Sequence, residues 1–234
     1  MFRKRQRRND PTSRRARWPS PPRWLVWVGA VIMTAMLVGA CAHSVPLGAG
    51  PALSIKAPAG KLPAVVGIYY SPEFRVHEEK VWKKGDRWDF PLGTSSVRLF
   101  DQAIPLVFEK AIPVQGRPPL GAAPDLGAVI EPRIEAFDFQ LPWLKTSTYS
   151  AEISYRIILY NRAGDSVVSW VVKGAGEKAG QVGFEFARWP GEAADLAMRD
   201  AVQKFVDGFA EIPEIKAWLQ RTAGRQPGLQ PGPE

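Results

Sequence analysis

Few side chains in this sequence could do chemistry. Cys41 is the single cysteine among 234 residues. No internal disulfide can form, so bridges say nothing about the compartment. The only histidines are His43 and His77. Neither has a partner at ligand spacing, so no metal site is expected. Glu131, Glu135 and Asp138 could gather in a cleft; the simpler reading is outward carboxylates on a strand. Glu78 and Glu79 with Lys80 read as a solvated turn. The chain has no Gly-x-Ser-x-Gly elbow and no phosphate loop. The expectation is a non-enzyme that needs no cofactor. The residue with a readable fate is Cys41, and its fate depends on its surroundings.

Residues 1–23 are rich in Arg, Pro and Ser and have no apolar periodicity. Trp24 to Ala40 form an uncharged apolar run of 17 residues. A basic end, an apolar middle and small residues before a cut make an export signal. At about 1.5 Å per residue the run spans roughly 25 Å, short of the ~30 Å of a bilayer core. A permanent transmembrane helix is the alternative. Val38-Gly39-Ala40-Cys41 resembles the lipobox of bacterial lipoproteins: an aliphatic residue, two small ones, then cysteine. Under that resemblance Val38, Gly39 and Ala40 are read by the signal peptidase. Cys41 takes a thioether-linked diacylglycerol, and its freed amine can be acylated, for example with palmitate. Two or three chains at ~0.8 kcal/mol per buried CH₂ anchor stably. Ala42, in place of the aspartate that commonly retains such proteins in the inner membrane, implies the outer membrane.

The formal charge of +8 looks like a nucleic-acid signal until it is mapped. Residues 1–40 carry nine of the 31 basic residues and one of the 23 acidic ones. The rest of the chain is balanced at 22 of each. A neutral domain lacks the concentrated positive field that phosphate binding needs, so no nucleic-acid partner is expected.

The elements after Cys41 follow from pattern. Residues 42–62 are rich in Ala, Gly, Pro and Ser and read as a flexible tether reaching at most roughly 70 Å; an arm packed on the domain is the other possibility. Leu62–Tyr70 reads as a strand, and residues 73–92 as a hairpin turning at Gly85. Thr94-Ser95-Ser96 offers caps for a helix that Pro105 kinks and Pro113 ends. Ala128–Gln140 reads as a strand whose apolar phase slips, by a bulge or by burial on both faces. Tyr149–Tyr160 and Ser166–Lys173 read as an antiparallel pair. Residues 174–188, with their glycines, read as a mobile loop. Ala194, Ala197, Met198, Ala201, Val202, Phe205, Val206 and Phe209 make a helical stripe, and Asp195 with Arg199 reads as a pair on its wet face. Glu214–Arg221 reads as a short helix.

The expected organisation is a leader over 1–40, lipidated Cys41 and a tether over 41–61, one domain over 62–222 and a disordered tail over 223–234. The expected fold is α+β: an antiparallel sheet of about four strands with two helices on one face, in the order β-α-β-β-β-α. This layout resembles small Gram-negative envelope lipoproteins: the lipopolysaccharide-assembly lipoprotein, the auxiliary lipoproteins of lipid-trafficking ABC transporters and the YajG-like lipoproteins. Val66–Arg75 is similar to a signature of uncharacterised proteobacterial lipoproteins. The resemblance implies an adaptor, plug or chaperone role in the periplasm, with the membrane and other envelope proteins as partners. Aromatic residues (Tyr69, Tyr70, Phe74, Trp82, Trp88, Phe137, Phe139, Trp143) motivate a second hypothesis, a lipid-binding or lipid-transfer module.

Overall fold

A computed structural model describes residues 42–48, 55–119, 126–142, 148–180 and 187–223. The compact unit that holds them begins at Cys41. Its elements are β1 (Ala42–Ser44), β2 (Leu62–Ile68), α1 (Pro72–Arg75), β3 (Glu79–Lys83), β4 (Asp86–Phe90), α2 (Leu92–Val107), β5 (Phe108–Pro113), β6 (Ala128–Gln140), β7 (Thr148–Asn161), β8 (Ser166–Ala179), α3 (Arg188–Gly208), a 3₁₀ turn (Phe209–Glu211) and α4 (Pro213–Ala223).

The α+β class is as expected, but the single antiparallel sheet is not. The described residues form two sheets, ordered β5-β2-β6-β7-β8 and β1-β4-β3. The larger is mixed: β2 runs parallel to β5 and β6, while β6, β7 and β8 alternate in direction. The expected helix, carried on to Pro113, concealed β5. The helix stops at Val107, where Phe108 turns extended at φ −110° and ψ 154°. Pro105 stands inside the last turn and has no N–H to donate there. Phe108 then joins the core, 5.8 Å from Phe209.

Helices α2 and α3 pack on one face of the large sheet. That face is the alternate set Tyr149, Ala151, Ile153, Tyr155, Ile157 and Leu159 of β7, all buried. Phe100 of α2 meets Tyr155 edge-on at 5.1 Å and Phe205 of α3 at 5.8 Å. The expected helix caps are replaced by other contacts. Pro91 holds the cap position of α2 without a side-chain bond. Ser96 lies buried inside the helix, 2.7 Å from the Tyr155 hydroxyl.

The phase slip in β6 is a bulge between Ile134 and Ala136. Before it, Ile130, Pro132 and Ile134 face the helices; after it, Phe137 and Phe139 do. The small sheet packs there, with Phe90 4.8 Å from Phe137 and 5.1 Å from Phe139. Its hairpin turns through Lys84 (φ 54°) and Gly85 (φ 89°), two left-handed residues that match the strand twist.

Strand β8 continues to Ala179, through the first half of the stretch expected as a mobile loop. Gly174 and Gly176 face α3 so closely that a Cβ on either would lie 2.1 Å from the Ala197 carbonyl oxygen or 2.2 Å from that of Ala193. These glycines serve close helix–sheet approach. Residues 181–186 and the tail from 224 lie outside the described residues.

Candidate functional site

Val38, Gly39, Ala40 and Cys41 lie outside the described residues, as does Trp143. The chain immediately after them is well placed. Residues expected as a free tether are fixed on the domain over 42–48 and at Ile55 and Lys56. Ala42, His43 and Ser44 pair in parallel with Arg87, Trp88 and Asp89 of β4. Val45 is buried and its N–H donates to the Asp89 carbonyl at 3.0 Å. The strap then follows α3. The Pro46 carbonyl crosses Gly191, where a Cβ would meet it at 2.2 Å. The Gly48 N–H donates to both carboxylate oxygens of Asp195, at 3.0 and 2.8 Å. Two turns further along α3, the Lys56 N–H donates to the Gln203 side-chain oxygen at 2.8 Å. Small residues and prolines suit such an extended strap as well as a linker, and its partners lie 147 residues away in sequence.

Asp195 is thus buried beneath the strap, where an exposed pair with Arg199 was expected. Burial raises its pKa, opposed by the Gly48 bond and by Arg199. A raised carboxyl binds its proton more tightly folded than unfolded, so this group adds stability as pH falls toward the ordinary aspartate range. Asp195→Ala removes the acceptor. Amide exchange at Gly48 should then accelerate about tenfold, while Asp195→Asn, which keeps an oxygen, changes it much less.

The aromatic residues are mostly core. Tyr70, Phe74, Trp88 and Phe139 are buried; Phe137 packs against Phe90, and Trp88 lies 5.8 Å from Phe139. His43 also joins them, its ring 4.7 Å from Trp88. His77 faces Glu79 at 3.3 Å. Among the described large apolar side chains, Val76 and Trp82 are exposed, at 79% and 59%.

The three carboxylates of β6 do not converge. Asp138 pairs with Lys83 at 3.4 Å, and Glu135, at the bulge, pairs with Arg156. Glu131 departs furthest from the outward-carboxylate reading, because it is fully buried. It lies on the face of the sheet away from the helices, opposite Ile158. Arg117 grips it with Nε and Nη2, both at 2.6 Å, and Arg133 with Nε at 3.0 Å and Nη2 at 3.3 Å. Arg133 also reaches the Tyr160 hydroxyl at 3.3 Å, and the Arg117 guanidinium lies 5.8 Å from the Tyr69 ring centre. Burial opposes ionisation of Glu131, but the bonds from Arg117 and Arg133 outweigh it and hold the carboxyl below the usual glutamate range. Arg133, two residues from Glu131 on a strand, was legible as a same-face neighbour. Arg117 sits in a Gly/Pro-rich segment with no period to place it. The cluster pins that segment across the sheet: the Val114 N–H donates to the Ile68 carbonyl at 2.9 Å, and the Pro118 carbonyl crosses Gly164.

Among the described residues no three His, Cys, Asp or Glu side chains are grouped to hold a metal ion. No described helix is long and apolar enough to cross a membrane. No family model and no curated protein matches the sequence. Solved structures similar to this chain include the protein XCC0632 of Xanthomonas campestris, of the family DUF330, at 10% identity and a TM-score of 0.44 over 79% of this chain and 99% of that one. A presumptive lipoprotein of Caulobacter crescentus is similar at 10% identity and a TM-score of 0.33, over 70% and 93%. Lipoprotein GNA1162 of Neisseria meningitidis is similar at 10% identity and a TM-score of 0.29, over 53% and 89%.

Proposed function

We propose that this chain is an envelope lipoprotein, anchored through acylated Cys41 in the outer membrane with its domain in the periplasm, acting as a non-catalytic adaptor. The observation that carries the reading is a coincidence of boundaries. The lipobox-like Val38-Gly39-Ala40-Cys41 ends where the compact unit begins, so the expected cut falls on the boundary between the two units. The balanced charge after residue 40 and the polar groups of the domain, spent on holding strap and loops in place, favour a role through contacts with other envelope proteins. The burial of most of the aromatic set favours this over a lipid-transfer module.

Metabolic labelling with a palmitate analogue tests the anchor. The protein should take up label and migrate at the size left after loss of 40 residues. Cys41→Ser should stay unlabelled and at precursor size; a processed, membrane-bound Cys41→Ser protein sinks the reading. In-cell cross-linking tests the adaptor role, and recovery of monomer alone counts against it.

A further inference from the structure

We propose that the outward face of the three-stranded sheet rests on the bilayer that holds the anchor, with Trp82 seated among phospholipid headgroups. The inference rests on the lipid-anchor reading above. It begins with the shortness of the connection. Cys41 precedes Ala42 by one peptide, about 3.8 Å between Cα atoms, and Ala42 is already the first residue of β1. Acyl chains on Cys41 therefore cannot hold the sheet a tether's length from the membrane; the edge of β1 sits at headgroup level.

Register then decides what lies beside it. Ala42 is opposite Arg87, and Arg87 is opposite Trp82. Directly paired residues share a face, so Ala42, Arg87 and Trp82 form one row across the sheet. Ser44, Asp89 and Lys80 form the next row. At about 4.8 Å per strand, Trp82 lies roughly 10 Å from Ala42 along the row. The opposite face is taken: Trp88 and Phe90 are buried against β6. Among the described residues, no element packs over the face that carries Trp82, which is 59% exposed. An indole with an apolar body and a polar N–H suits the membrane interface.

The hairpin is balanced in charge, with Lys80, Lys83, Lys84 and Arg87 against Glu78, Glu79, Asp86 and Asp89, and of these cations Lys80 and Arg87 share the face of Trp82. Lys80 pairs with Glu78, Lys83 with Asp138 and Arg87 with Asp89, and the Lys84 ammonium donates to the Pro142 carbonyl at 3.0 Å. The exposed Lys80–Glu78 pair is worth about 0–1 kcal/mol, so a lipid phosphate can compete for Lys80.

The test uses the full chain purified from cells fed the palmitate analogue and reconstituted in vesicles of phosphatidylethanolamine and phosphatidylglycerol brominated near the top of the acyl chains. Five other tryptophans follow residue 41, so the readout is the difference between wild type and Trp82→Phe. Bromolipid should quench wild-type emission, and Trp82→Phe should remove about half or more of the quenchable part, with the thermal midpoint unchanged. If the protein carries palmitate label but its quenching is absent or unaltered by Trp82→Phe, this inference is overturned and the anchor stands. If it is unlabelled yet quenched through Trp82, the anchor reading falls and the membrane-facing row stands. Absence of both label and quenching overturns both.

Discussion

Gly174→Ala and Gly176→Ala are each expected to destabilise the domain by about 3 kcal/mol or more, the upper end for overpacking a core. At Gly174 the new methyl would stand 2.1 Å from the Ala197 carbonyl oxygen and 2.4 Å from the Ala201 nitrogen. At Gly176 it would stand 2.2 Å from the Ala193 carbonyl oxygen. These are backbone atoms of α3 and cannot swing aside as a flexible side chain would. Helix α3 would have to lift from β8, loosening the stripe of Ala193, Ala197, Ala201 and Phe205, all fully buried. Urea unfolding should show a lower midpoint with little change in slope. Gly60→Ala and Gly116→Ala are the controls. No atom lies within 4 Å of a Cβ at either position, and such changes should be neutral or stabilise by up to about 1 kcal/mol, through lost freedom in the unfolded chain. Equal losses at all four positions would remove the close-approach explanation.

Glu131→Gln is expected to lower stability by about 2 kcal/mol at neutral pH. Glutamine keeps an acceptor, but two guanidiniums lose the one carboxylate they share. Breaking a buried ion pair costs about 3–5 kcal/mol. The side chains of Arg117 and Arg133 are 47% and 40% exposed, so water recovers part of that. The pH dependence separates this from simple loss of packing. The folded-state pKa of Glu131 is depressed, so its contribution is fully present above the unfolded value of about 4.3 and fades as pH falls through the lower folded value. The gap between wild type and Glu131→Gln should therefore narrow on acidification. Asp195 has the opposite sign, so wild type should gain stability relative to Asp195→Asn on acidification. Proteolysis within 114–119 should be faster in Glu131→Gln, since Arg117 is the clasp of that segment. A pH-independent gap would mean that the carboxylate's charge is not what matters.

The sequence was legible where one local pattern decided the outcome. The stripe from Ala194 to Phe209 and the alternation from Tyr149 to Leu159 are buried as their periods implied, because burial of one face is what period selects. The slip at Ile134–Phe137 showed as a bulge for the same reason. The hairpin at Gly85 followed from turn chemistry. Local composition misled where an element's partner lies far along the chain. Gly174 and Gly176 read as loop because a strand glycine looks like a break unless the helix above it is known. The strap over 42–48 read as linker because its acceptors, Asp89 and Asp195, belong to other elements. Strand β5 read as helix because spacing alone cannot show that Phe108 turns toward Phe209.

Within the candidate site the same division holds. The sequence by itself determined the placement of charge in the leader and the small-small-cysteine junction at Gly39-Ala40-Cys41, since both are covalent facts of neighbouring residues. Only the tertiary structure decided that Glu131 is a buried clasp and not a surface carboxylate. It also decided that Trp82 shares a row with Ala42, and that Ala42–Ser44, directly after Cys41, pair with β4. Those facts depend on strand register and on contacts between residues far apart in the chain, and neither is written in any local stretch of it.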